Sequence, residues 1–268
     1  MSKAFPTDIA ASVRKGLLNV SRKGGDPFEL VLTRYALERL LCRIGVSPFA
    51  HRFVLKGALL LQIWGGDVHR PTRDLDLLGY GDFSGEQIID IFKEVCRTEV
   101  KPDGLIFDLD SFFAEDIRED REYKGKRVSF IAYLAKARMK IQVDMGFGDA
   151  VTPQPAEVEY PTILGMPAPR IRAYPMETVV SEKTQTVVHL GIQNSRMKDY
   201  YDLWILSKSF PFKGETLVQA IKATFERRKT KIPKDVPVGL SDDFSMDEDK
   251  HKQWKAFLSR IGLTEHIA

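Results

Sequence analysis

Three runs of β-branched and aromatic residues, at 105–113, 128–134 and 139–145, constrain this chain most, because they read as strands and fall between segments of helical period. Upstream, Asp26 as N-cap and Pro27 at the first helical position open a helix. Leu30, Leu32, Tyr35, Leu37, Leu40, Leu41 and Ile44 keep its period until Gly45. Phe53, Val54 and Leu55 then lead to Lys56 and Gly57, and an apolar segment at 58–64 ends at Gly65 and Gly66. A short strand is expected at 75–78 and a helix at 85–95, with Ile88, Ile89, Phe92 and Val95 on one face. After Pro153, Pro155, Pro161, Pro167 and Pro169 the strand signals nearly vanish, and helices are expected at 175–190, 199–207, 214–227 and 248–261.

The expected class is therefore α+β, with a mixed-sheet core and N-terminal helices over 1–167 and a mainly helical region over 168–268. The 268 residues carry 40 Lys and Arg against 37 Asp and Glu, a formal charge of +3, so any basic binding surface must be local. Such clusters occur at 118–127 and 227–234, where RNA phosphates could bind or where the charges are simply solvated. Cys42 and Cys96 sit in helix-like apolar surroundings and are expected in the core rather than in a disulfide. No signal-peptide-like or membrane-spanning run is visible, so the expected address is the cytoplasm.

The sharpest constellation is 70–76, Arg-Pro-Thr-Arg-Asp-Leu-Asp. On a strand, Asp74 and Asp76 point to the same side, and two carboxylates suit Mg²⁺ or Mn²⁺, which complete their coordination with substrate phosphates. An ion-paired structural role is the alternative for an isolated Asp-x-Asp. Strand alternation places Asp144 on one face with Gln142 and Lys140, where it could complete a metal triad or cap the backbone of Gly146 or Gly148, a part that suits Asp149 better. Lys56, Gly57 and Ala58 lie at a strand-to-helix junction, where backbone N–H groups and the helix dipole could meet a triphosphate. Thr72 and Arg73 could bind phosphate oxygens beside the acids.

Farther on, Lys183 shares a helical face with Val179, Val180, Val187 and Leu190, so its ammonium needs an anionic partner, a triphosphate or a core acid. Asp199 and Asp202 stand one helical turn apart, with Arg196 and Lys198 nearby; Asp199 is the stronger candidate of the two.

Taken together, Lys56-Gly57, the Arg-x-Thr-x-Asp-Leu-Asp segment and Asp144 resemble the DNA polymerase beta-like nucleotidyltransferases. The runs Ser181-Glu182-Lys183 and 196–203, Arg-Met-Lys-Asp-Tyr-Tyr-Asp-Leu, are similar to the helical motifs of the AbiEii/AbiGii nucleotidyltransferase toxins of abortive-infection and toxin-antitoxin systems. The resemblance covers about 53–206. It implies metal binding by Asp74, Asp76 and Asp144, and essential helical roles for Lys183 and Asp199, Lys183 also contacting nucleotide. It further implies a nucleoside triphosphate substrate, the 3′ end of transfer RNA as acceptor, growth inhibition in phage defence, a cognate antitoxin, and Thr72 as a candidate phosphorylation switch. One departure stands out: Ala58 and Leu59 follow Gly57 where the family has Gly or Ser and often Thr. A protein side chain or a small molecule as acceptor, or a catalytically silent binding module, are the competing readings.

Overall fold

The computed structural model describes residues 7–65, 70–81, 83–118 and 124–262. Its contacts divide into two compact units: the described residues within 1–65, 71–148 and 156–173 form one, and those within 66–70, 149–155 and 174–268 the other.

In the first unit, helices α1 (Thr7–Gly24) and α2 (Phe28–Val46) precede strand β1 (Phe53–Lys56), a 3₁₀ turn (Gly57–Leu59) and the five-residue α3 (Leu60–Trp64). Strand β2 (Asp74–Gly79), helix α4 (Gly85–Arg97), and strands β3 (Leu105–Arg118), β4 (Lys124–Leu134), β5 (Ala137–Phe147), β6 (Ala156–Glu159) and β7 (Arg170–Ala173) follow. The strands make one mixed sheet in the order β3-β4-β5-β2-β1-β7-β6. β2 runs parallel to β5 and antiparallel to β1, so the Asp-x-Asp strand lies inside the sheet, paired on both sides.

Alternation gives this sheet two different faces. Leu75 and Leu77 of β2, Ile141 and Val143 of β5, and Val128 and Phe130 of β4 are almost completely buried, and α2 and α4 pack against the sheet. Between these apolar residues stand Asp76, Gln142 and Ser129, on the opposite face.

Helix α2 is buried nearly all round, charges included. Arg43 forks onto Asp103 at 2.6 and 3.2 Å, Arg39 Nε reaches the same carboxylate at 3.4 Å, and Tyr35 Oη donates to the Asp103 carbonyl at 2.8 Å. Glu38 accepts from the Ile163 N–H at 2.8 Å, and burial raises its pKa against the pull of that hydrogen bond and of Arg39. The expected cap differs: Pro27 is the N-cap residue, and Asp26 instead pairs with Arg34 at 3.1 Å. Gly45 does not stop the helix, which runs on to Val46. Its small size serves a close approach, because a Cβ there would lie 2.1 Å from the Arg170 carbonyl oxygen of β7.

Two further readings needed correction. Ile91, rather than Ile89, is buried with Ile88, Phe92 and Val95 on α4. Strand β6 lies inside the proline-rich passage, and β7 follows Pro169, where strand signals nearly vanish: each is only four residues long, and β6 carries two glutamates. Cys42 is buried and Cys96 half-buried, and both are free thiols.

The second unit is helical: α5 (Met176–Leu190), α6 (Met197–Ser209), α7 (Gly214–Arg227), the short α8 (Asp242–Ser245) and α9 (Glu248–Arg260). Helix α5 packs on α7 and α6, and α9 on α6. A polar network fastens the unit: Arg228 donates to Gln185 at 2.9 Å and to Asp149 at 3.3 Å, Gln185 donates to Thr230 at 2.8 Å, and Thr178 bonds both ways with the Thr152 backbone. Asp149 accepts from Arg228 and, at 3.4 Å, from the Tyr174 hydroxyl. The α+β class expected from the sequence holds, and among the described residues no helix is long and apolar enough to cross a membrane.

Candidate active site

The polar face of the sheet carries its charges in register. Lys56 of β1 pairs with Asp76 of β2, Asp76 with Asp144 of β5, Asp144 with Arg127 of β4, and Arg127 with Glu115 of β3. Partners in a ladder project to the same face, so one row crosses five strands with the signs plus, minus, minus, plus, minus from Lys56 onward. Asp74 stands two residues along β2 on that face, level with Gln142. The three acids expected to gather therefore do share a face, Asp76 and Asp144 as direct neighbours.

Asp144 has a partner that the sequence reading missed. Arg127 forks onto it, Nε to Oδ1 and Nη2 to Oδ2, both at 2.8 Å, while Gln142 Nε2 lies 3.5 Å from Oδ2. The hydrogen bond to Asp144 is the main cause that holds the Arg127 pKa above its ordinary value. Among the described residues no three His, Cys, Asp or Glu side chains cluster closely enough to hold a metal ion. The chemistry of Asp74 and Asp76 nevertheless suits a hard cation that keeps waters and phosphate oxygens as its other ligands.

Lys56 is buried at the end of β1, and the next residue fixes the local shape. Gly57 has φ +77°, and a Cβ on it would stand 2.0 Å from Asp76 Oδ2, so the Asp76 carboxylate rests against the bare Cα. The helix expected after Gly57 is a 3₁₀ turn followed by only five α-helical residues, too short for a strong dipole. Ala58 is buried. Thr72 Oγ1 lies 3.4 to 3.5 Å from the Asp74 backbone, and Arg73 is exposed.

A second charged cluster lies within the helical unit. Lys183 Nζ of α5 lies 2.6 Å from Asp199 Oδ1 and 2.8 Å from Asp202 Oδ2, both acids on α6. Arg196 Nε donates to Asp199 Oδ2 at 2.7 Å, and Arg70 forks onto Asp202 at 2.9 and 3.0 Å. Three cations thus surround two buried acids. Burial alone would lower the Lys183 pKa, but Asp202 and Asp199 outweigh it and hold the ammonium charged. Burial would likewise raise both carboxyls, and the facing cations keep them below their ordinary range: Lys183 and Arg196 for Asp199, Lys183 and Arg70 for Asp202. An acid held this way is a poor proton acceptor, and its evident effect is to fix Lys183. The acids that stand beside the Lys183 ammonium are Asp199 and Asp202.

The model of the nucleotidyl transferase AbiEii toxin family, of type IV toxin-antitoxin systems, matches residues 39–267, a span that contains both the Lys183 cluster and the Arg-x-Thr-x-Asp-Leu-Asp segment. The chain belongs to the AbiEii family. It is a nucleotidyltransferase, and membership implies a nucleoside triphosphate substrate and an antitoxin partner. Two crystal structures from Helicobacter pylori are similar to this AbiEii chain. One, described as a candidate nucleotidyltransferase, has 15% identity and a TM-score of 0.45, over 88% of this chain and 97% of that one. The other, JHP933, has 16% identity and a TM-score of 0.44, over 86% and 96%. Comparison with the curated proteins gives no match.

The basic stretches look different once folded. In the first, Arg127 is committed to Asp144, Lys126 pairs with Asp116 at 2.6 Å, and residues 119–123 lie outside the described residues. In the second, Arg228 turns inward to Asp149 and Gln185, while Arg227, Lys229, Lys231 and Lys234 are exposed.

Proposed function

We propose that this AbiEii chain transfers a nucleoside monophosphate from a nucleoside triphosphate to the 3′ end of transfer RNA, and that growth stops because the modified RNA is no longer charged. The observation that carries the chemistry is the row in which Asp76 and Asp144 stand side by side on parallel strands, with Asp74 two residues along the same face. Asp74 and Asp76 would hold a divalent cation, Mg²⁺ or Mn²⁺, and such an ion, when bound, neutralises the triphosphate and polarises its phosphoryl oxygens. Asp144 is the third acid of that face.

The reaction forms a bond from the acceptor hydroxyl oxygen to the α-phosphorus, breaks the bond between that phosphorus and the bridging oxygen, and releases pyrophosphate, the hydroxyl proton passing to solvent. Lys56, in the same row as Asp76, balances carboxylate charge. Gly57 gives Asp76 room to hold its position, and Ala58 continues the turn with a side chain too small to crowd a phosphate. Thr72 and Arg73 offer a hydroxyl and a guanidinium to phosphate oxygens. In the helical unit, Lys183 is the functional cation and Asp199 the positioning residue that sets its ammonium.

The acceptor rests on family membership, together with the exposed cations from Arg227 to Lys234 that an RNA backbone could meet. The test is incubation of the chain and of an Asp74→Ala/Asp76→Ala variant with total cellular RNA, Mg²⁺ and each α-labelled nucleoside triphosphate. Label on small RNA, absent with the variant, is the expected result. Label on protein or on a small molecule would replace the acceptor, and the absence of transfer to any acceptor would overturn the proposal.

A further inference from the structure

The five-strand row has its own charge balance, and that balance bears on how many ions the site takes. Lys56 flanks Asp76 on one side, Arg127 flanks Asp144 on the other, and the two acids lie between them. These four residues sum to zero charge, and Glu115, next in the row, and Asp74, two residues along β2, bring the six to two negative charges, the complement of one divalent ion. Arg127 meets both oxygens of Asp144 at 2.8 Å in the fork geometry that guanidinium and carboxylate favour, and the two side chains are only 32% and 14% exposed. A cation seeking Asp144 would have to break two charge-assisted hydrogen bonds and then sit beside the displaced guanidinium.

The geometry points to Arg127 as a built-in cation that stands at Asp144 in place of a metal ion, so that the sheet takes one divalent ion, on Asp74 and Asp76, rather than two. Asp144 is then a positioning residue for Arg127. Its Nη1, with Glu115 3.9 Å away, is the part of the guanidinium that the fork does not use. The inference rests on the metal role of Asp74 and Asp76 given above, and counting ions separates the two claims.

The full-length chain, without nucleotide, is titrated with Mn²⁺, and bound ion is counted from the loss of the free-ion electron paramagnetic resonance signal. Melting temperatures and circular dichroism confirm that each variant is folded. The expected counts are one ion per chain for the unsubstituted protein and for Asp144→Asn, two for Arg127→Gln, and none for Asp76→Asn. A count that falls on Asp144→Asn while Arg127 is present would overturn the inference and leave the metal role intact. So would an Arg127→Gln chain that is folded and gains no ion. A count of zero in the unsubstituted chain, or one unaffected by Asp76→Asn, would remove the metal role itself and this inference with it.

Discussion

Replacing Gly57 by Ala tests whether Asp76 is held by backbone shape. Gly57 has φ +77°, in the left-handed region, where a residue with a Cβ costs about 1–2 kcal/mol. The added carbon would also lie 2.0 Å from Asp76 Oδ2 and 2.7 Å from its Cγ, well inside contact distance, so the carboxylate must swing away. With a further ~1–2 kcal/mol for the polar contacts that Asp76 gives up, the total is about 2–4 kcal/mol. At roughly 2–4 °C per kcal/mol for a unit of this size, the melting temperature falls by about 4–16 °C. The assay is thermal unfolding followed by circular dichroism for Gly57→Ala, Asp76→Ala and the double variant. Asp76→Ala removes Oδ2 and Cγ but leaves its Cβ, 2.8 Å from the new carbon, so relief is partial. The double variant is therefore expected to lose at least ~1 kcal/mol less than the sum of the singles. Strict additivity, or a shift below about 1 °C for Gly57→Ala, against the ~4 °C minimum worked above, would refute the claim that Asp76 rests on that Cα.

The helical cluster makes two further predictions. Asp202→Asn keeps the shape but leaves Arg70, Lys183 and Arg196 around the single charge of Asp199, and a loss of about 3–5 kcal/mol is expected in urea denaturation; a loss under ~1 kcal/mol would show the cluster to be solvated like a surface pair. Asp199 and Asp202 both have depressed pKa values in the folded chain, so their stabilisation is fully present above the unfolded value of about 3.9 and is lost as pH falls through the lower folded values. Stability should therefore drop below about pH 4, and Lys183→Met, which removes the largest opposing charge on both acids, should flatten that drop; an unchanged acid slope would contradict the pairing.

Local pattern made much of this molecule legible. The periods of α2, α4, α5 and α7 place their helices to within a few residues, because side chains three and four apart must share one buried stripe. Asp74, Asp76 and Asp144 could be put on strand faces by alternation alone. The partner of Asp144 was nearly within reach too: Arg127 lies eight residues before Ala135 and Asp144 eight after Lys136, the two residues at the tip of the β4–β5 hairpin. What hid it was the turn, where Ala135 takes φ +51° with no Gly or Asn to announce a hairpin.

Other features belonged to tertiary structure only. Arg70 finds Asp202 across 132 residues, and no period or spacing connects them. Short β6 and β7 owe their strand state to pairing with each other and, for β7, with β1, since four residues hold too little pattern to specify it. By itself the sequence determined the helix stripes, the strand alternation and the chemical types at the site, because each follows from a repeat of two or 3.6 residues along the backbone. The tertiary structure decided which charges meet. Whether Lys183 faces an acid or a ligand, and whether Asp144 meets an arginine, depends on elements brought together by burial of apolar faces, a force without the direction or range to be read from neighbours in the chain.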